Sequence, residues 1–292
     1  MPTQSRDDAH PPIRLLGPAD LDRCVALSID RGWLPEKAKW SLLLAASETF
    51  GIDAPDGRGL AGAVVLTRWA ADYASVGMML VAARYQRRGL GKTLMEHTLA
   101  AAGAGATVTL FATDMGRPLY EKLGFKPVRR NVSFVGRFKL GRVAAASSAA
   151  VRAATAADLP ALLAADRAAF GGDRGHLLGR LPGFADAMAV LDDPAGGITG
   201  HAAAWRNHVT STVIGPLVAP DVSAAQLLVA HLAAQVSTPI RLDLDPDRPE
   251  LPAWANAHGL EPVASTLVMA HGEIVPRGMP ERLFTPISVA LA

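Results

Sequence analysis

Two halves of this chain echo each other, and that repetition limits the fold more than any other feature. IRLLGPADL from Ile13 returns as VRAATAADL from Val151, and VGMMLVA from Val76 returns as IGPLVA from Ile214; both pairs are offset by 138 residues. LGFKPV (Leu123 to Val128) is matched by HGLEPV (His258 to Val263) at an offset of 135. Three matches in one order at nearly constant spacing mark a duplicated unit. A chain of 292 residues then holds two domains, each of a size that can bury its own core. Between them GRVAAASSAA, 141–150, is small and without aromatics, which suits a linker. The expected layout is a flexible tail over 1–12, a first domain over 13–140, a linker over 141–150 and a second domain over 151–292.

The halves open alike. A short strand (Ile13 to Leu16; Val151 to Ala154) leads to a helix begun at Pro18-Ala-Asp or Ala156-Ala-Asp. EKAKWSLLLAASE reads as a second helix, and GLAGAVVLTRWA and YASVGMMLVA as strands, the latter apolar throughout and so central in a sheet. From Gly89, residues Leu90, Leu94, Met95, Thr98 and Leu99 recur at helical spacing. TVTLFAT is a further strand, and RPLYEKLG a helix stopped by Gly124. This alternation predicts an α/β fold (α+β, with a mixed sheet) in each half, with one helix launched directly from a buried strand.

Composition removes several classes. A net charge of +2 makes no case for a nucleic-acid groove. Cys24 is the only cysteine and sits in the amphipathic PADLDRCVALSIDRG, so it reads as core, and a reducing compartment fits. The first residues lack the apolar stretch of a secretory signal, and no run is apolar enough to span a membrane, so a soluble cytoplasmic protein without membrane partners is expected. The eight histidines show no metal-ligand spacing and no G-x-S-x-G occurs, so neither a metal nor a serine nucleophile is expected. Arg129, Arg130, Arg137, Lys139 and Arg142 read as an exposed strand and linker.

The chemistry gathers at YQRRGLGKTL, residues 85–94. A P-loop would need glycine where Gln86 stands, and a dinucleotide fingerprint would need it at Leu94. Gln86-Arg87-Arg88-Gly89-Leu90-Gly91 fits a third pattern in full: Gln/Arg-x-x-Gly-x-Gly/Ala between a buried strand and a helix. A helix start offers unpaired N–H groups and partial positive charge. Gly89 and Gly91 let phosphate oxygens approach the backbone, Thr93 can add a hydroxyl donor, and Arg84, Arg87, Arg88 and Lys92 raise the local potential.

With the later GRPLYEKLGF, Gly116 to Phe125, this pattern resembles the GNAT superfamily of acyl-CoA-dependent N-acyltransferases, and the two-half layout resembles bacterial tandem GNAT proteins with a diverged C-terminal half. The resemblance implies two tandem GNAT-like domains and acetyl-CoA as co-substrate, held by Val81, Ala82, Gln86, Arg87, Arg88, Gly89, Leu90, Gly91, Lys92, Thr93, Thr113 and Arg117. It implies Tyr120 as general acid to the departing thiolate. Two positions depart from the family pattern: Thr113 replaces an asparagine, and the strand YASVGMMLV has no glutamate to act as base, leaving Asp114 and Glu48 as candidates. Trp33 and Trp40 fall where acceptor-lining helices lie, with Asp166, Asp173, Arg174, Asp243, Asp245 and Asp247 as polar candidates from the second half. That half reads PDVSAAQLLVAHL after IGPLVA, without glycine, and has Ala255 at the position of the tyrosine. The expectation is one acetyl-CoA site per chain, a small-molecule primary amine as acceptor, and self-association into a homodimer left open. The rival reading is a non-catalytic acyl-CoA-binding sensor or scaffold.

Overall fold

The computed structural model describes residues 12–141, 151–208 and 210–291. Apart from Pro12 and Gly141, the expected tail and linker lie outside these residues. The first half runs β1 (Ile13–Leu16), α1 (Leu21–Asp30), α2 (Lys37–Ala46), β2 (Glu48–Asp53), β3 (Leu60–Ala70), β4 (Tyr73–Val81), α3 (Leu90–Ala102), β5 (Thr107–Ala112), α4 (Arg117–Lys122) and β6 (Lys126–Gly136). The second runs β7 (Val151–Ala153), α5 (Leu159–Phe170), α6 (Gly175–Leu178), β8 (Ala187–Asp192), β9 (Ile198–His208), β10 (Ser211–Val218), α7 (Val222–Ala233), β11 (Ile240–Leu244), α8 (Glu250–Ala257), β12 (Glu261–His271) and β13 (Leu283–Thr285).

The duplication is visible in matching bonds. Arg14 donates to Asp20 at 2.7 Å and Asp53 at 2.8 Å, tying β1 to the turn before α1 and to β2. Arg152 does the same for β7 with Asp158 at 2.8 Å and Asp192 at 2.9 Å. After α4, the Phe125 N–H bonds the Tyr120 carbonyl at 3.0 Å; after α8, the Leu260 N–H bonds the Ala255 carbonyl at 3.0 Å. Tyr120 and Ala255 therefore hold the same place in the two copies.

The copies are not separate sheets. One mixed 13-stranded sheet runs β1-β2-β3-β4-β5-β12-β6-β11-β10-β9-β8-β7, with β13 on β10. Each half lends its late strand to the other: β12 pairs β5 (Leu267↔Ala112), and β6 pairs β11 (Asp243↔Ser133). The lent strands pair with each other, with Asn131 opposite Thr266. The basic stretch is exposed as expected at Arg129, Arg130, Arg137 and Lys139, while Arg142 lies outside the described residues. Its strand β6 is nonetheless interior in the sheet, between β12 and β11, and Arg129 is 3.9 Å from Asp245.

Helices cover both faces. Cys24 and Trp40 are wholly buried, the Trp40 indole N–H donating to Ser28 at 2.8 Å, so Trp40 is core and not an acceptor wall. Burial pushes the Cys24 thiol up to about 12, as the core reading requires. The first half's core takes in Leu162, Phe170 and Leu177 from the second, with Phe170 stacked on Tyr73 at 5.8 Å. No helix among the described residues is long and apolar enough to cross a membrane.

Candidate active site

β4 and β5 are parallel neighbours only from Tyr73↔Thr107 to Val76↔Leu110, and then separate. A bulge accompanies the split. Ala63 pairs Leu80 and Val65 pairs Gly77, so β4 places Met78 and Met79 opposite Val64 alone, with Met78 at φ 48. Beyond the bulge, the Ala82 N–H bonds the Ala61 carbonyl at 2.9 Å. The adjacent Gly62↔Val81 pair is then non-hydrogen-bonded, which turns the Val81 N–H and C=O toward the gap. The Ala82 carbonyl accepts from the Tyr85 N–H at 2.8 Å, so of these two residues Val81 has the free backbone groups.

The loop after β4 is held from α1, where the Asp30 carboxylate accepts the Ala83 N–H at 2.6 Å. Arg87 (φ 59) and Gly89 (φ 84) are left-handed, and Gly89 gives α3 no side-chain cap. Among the described residues, the backbone N–H groups from Arg87 to Lys92 have no hydrogen-bond acceptor. Such a nest at the start of a 13-residue helix suits an anion. Leu90 is buried and seats the helix. A side chain on Gly91 would meet Met79 at 3.2 Å and Leu119 at 3.4 Å, so this glycine lets α3 lie close on β4 and α4.

Not every cation faces the nest. Arg84 is spent on Asp56 at 3.2 Å and the Arg58 carbonyl at 2.5 Å, and Lys92 lies 3.4 Å from Glu96. Arg88 sits over the Tyr85 ring at 5.4 Å, and Arg87 is exposed. The Thr93 hydroxyl donates to the Gly89 carbonyl at 3.3 Å. In the amide orientation that satisfies both groups, the Gln86 oxygen accepts from Arg31 at 2.8 Å.

At the other side of the gap, Thr113 shapes the start of α4. Its carbonyl accepts from the Gly116 N–H at 3.0 Å and the Arg117 N–H at 2.9 Å, while Arg117 pairs with Glu121 at 2.6 Å. Tyr120 is 8% exposed, and burial pushes its phenol up to about 12. No hydrogen bond to its hydroxyl occurs among the described residues. Leu119 of the same helix packs toward Gly91 of α3, while the Tyr120 ring lies against Gly116 and 5.8 Å from the Phe125 ring. Glu48 is bonded to Arg68 at 2.5 Å, whereas Asp114 is exposed in the turn after β5. Arg31 reaches the Met115 sulfur at 3.7 Å, drawing the α1–α2 turn, with exposed Trp33, to the same mouth.

The second copy of the notch is closed. β10 and β11 pair at Thr212↔Ile240 and Val213↔Arg241, and where they part β13 takes the β10 edge, with Leu217↔Thr285 and Val218↔Leu283. The Asp221 carboxylate caps α7 by accepting the Ala224 N–H at 2.8 Å, and Ala255 is buried without a polar group. Most of the candidate acidic residues have other partners, and Asp247 is exposed. Asp243 accepts from Ser133 at 2.6 Å and Arg241 at 2.9 Å, and exposed Asp173 pairs with Arg167 at 2.5 Å. Burial alone would raise Asp166, but Arg174 at 2.5 Å and His201 at 3.1 Å hold it well below the usual range. Nothing in the sequence marks the plugging by β13, because Leu283-Phe284-Thr285 is too short to show a strand pattern.

The fold and its open notch define a class: paired α/β units, each built around splayed parallel strands, one of them with a run of backbone N–H groups left without acceptors among the described residues. Models of the acetyltransferase (GNAT) domain match residues 46–127 and 162–285, one in each half and together more than half of the chain. The chain belongs to the GNAT acetyltransferase family, with two GNAT domains in tandem. An uncharacterized N-acetyltransferase of Bacillus subtilis (strain 168), YitH, is 29% identical over 177 residues, or 61% of this chain. The chain spans about three fifths (62%) of that relative's length. A putative acetyltransferase from Pyrococcus horikoshii superposes with a TM-score of 0.77 at 21% identity, covering 96% of this chain and 95% of its own. A tandem GNAT protein from the clavulanic acid biosynthesis pathway gives 0.60 at 15% identity over 89% of this chain and 98% of its own.

Proposed function

We propose that the first half transfers an acetyl group from acetyl-CoA to a primary amine of a small molecule, and that the second half has no acetyl-CoA site. The observation that carries this reading is the co-location, in one half only, of an open strand gap, unpaired N–H groups and a buried phenol. When bound, acetyl-CoA supplies an acyl thioester and a pyrophosphate. The N–H groups from Arg87 to Lys92 would hold the pyrophosphate, with Arg87 and Arg88 adding positive charge. Val81 would hydrogen-bond the pantetheine arm along the β4 edge, and a bulge N–H at Met78 or Met79 would polarise the thioester carbonyl.

The neutral amine forms the C–N bond as the C–S bond breaks. Tyr120 donates its proton to the departing sulfur, and the proton lost from nitrogen passes through water to re-protonate the phenolate. No strand carboxylate is needed for that balance, which fits the commitment of Glu48 to Arg68. Exposed Asp114 can accept from that water. The proposed division remains a catalytic domain over 13–140 and a diverged one over 151–292, with β6 and β12 exchanged between them.

The test is free-thiol release from acetyl-CoA with a panel of amines, for wild type and Tyr120→Phe. Release by wild type that falls in the variant supports the reading. Acetyl-CoA binding without release for any amine would favour the sensor or scaffold.

A further inference from the structure

After β13 the chain crosses from the second half to the first. A Cβ built on Gly215 would overlap the Pro286 carbonyl, and one built on Gly77 would overlap the Ala290 carbonyl. These two glycines are the same position of the repeat, VGMMLVA and IGPLVA. A strap only a few residues long therefore presses on the corresponding strand of both copies. Ile287, Ala290 and Leu291 are buried in the first half's core. Buried Ser288 turns the strap by accepting the Ala290 N–H at 3.2 Å, and its carbonyl accepts the Leu291 N–H at 2.8 Å. Gly77 is where β4 leaves register with β3, next to left-handed Met78, and no side chain separates the strap from this bulge.

We propose that Pro286–Leu291 are positioning residues for acetyl transfer in the first half: the strap clamps the β4 bulge and so fixes the gap in which the thioester must sit. This rests on the acetyltransferase reading above. The same chain segment plugs the second half's gap with β13 and then supports the open one. Loss of the clamp would let the bulge relax, while the nest at Arg87 to Lys92, beyond the bulge, would keep its grip on pyrophosphate.

Gly215→Ala tests this from the far half, with Gly77→Ala and the milder Ser288→Ala beside it. Gly136→Ala is the control, because its Cβ would overlap the Gly259 carbonyl away from the strap. The readouts are acetyl-CoA Kd, thiol release with spermidine, glucosamine and lysine as probe amines, and hydrogen exchange over 77–81. Gly215→Ala should lower kcat by about 10- to 100-fold, as misplacement by an ångström can, with Kd within about twofold and faster exchange over 77–81. Gly77→Ala should do the same, and the double variant should be little worse, since both act through one strap. Gly136→Ala should leave kcat and that exchange at wild-type values. Unchanged kcat in the strap variants despite faster exchange overturns the proposal. Wild type that binds acetyl-CoA but releases no thiol fails the acetyltransferase reading instead. In that case unchanged exchange in Gly215→Ala overturns the clamp separately, and faster exchange supports it.

Discussion

Tyr120 suits a leaving thiolate because burial keeps it from ionising: with its phenol pushed up to about 12, the donor form persists across the useful pH range. Tyr120→Phe should lower kcat by about 10- to 10⁴-fold, with little change in acetyl-CoA Kd, as measured by thiol release and calorimetry. The pH profile has a defined sign. kcat/KM should rise as the amine loses its proton, and no phenol-linked fall should appear below about pH 10; a descending limb near neutrality would remove Tyr120 from the role. Gly89→Glu should weaken acetyl-CoA binding by about 100-fold or more in calorimetry, because it adds a charge beside the nest and a Cβ at φ 84. The need for glycine there is local and could be read from GLG. The fate of Arg84 could not, because Asp56, which claims it, is brought up by folding, whereas Lys92 and Glu96 are an i,i+4 pair on α3.

The repeated Arg–Asp–Asp cluster shows how a strand, a turn and a second strand are joined in each copy. Hydrogen bonds from Arg14 hold Asp20 down to about 2, below its ordinary value of 3.8. A depressed carboxylate stabilises the fold above its unfolded pKa, and that contribution is lost as pH falls from about 4 toward 2. Asp20→Asn should cost about 1 kcal/mol at pH 7, a modest figure because Arg14 and Asp53 are partly solvated. The difference from wild type in urea melts should shrink toward pH 2; a difference that stays constant would mean another source of the loss. Arg14 and Asp20 stand at the positions of Arg152 and Asp158 in IRLLGPAD and VRAATAAD, yet the full cluster is not legible there, because the partners Asp53 and Asp192 lie far along the chain. β6 was legible as a strand but not as an interior one, since nothing local names β12 and β11 as its neighbours.

Exchange of β6 and β12 makes the two halves interdependent. Residues 1–141 expressed alone would leave the β5 edge without β12 and β6 without β11, so they should aggregate or self-associate. Co-expression with 142–292 should recover a stable one-to-one assembly by size exclusion and light scattering, and a stable monomer of 1–141 would refute this dependence. Calorimetry should find one acetyl-CoA per chain, also in Asp221→Ala, because uncapping α7 does not remove β13 from the closed gap. The amino-acid order alone carried the duplication, the glycine turn, the helix that follows it and the tyrosine near it, since each depends on spacing within about one element and its cap. Tertiary structure alone decided which strands neighbour which, that one notch is plugged while the other stays open, and that one strap touches both bulge glycines. Those outcomes depend on backbone pairing and contact between segments far apart in the chain, such as Leu217 with Thr285 and Gly77 with Ala290, for which neither periodicity nor a local motif holds information.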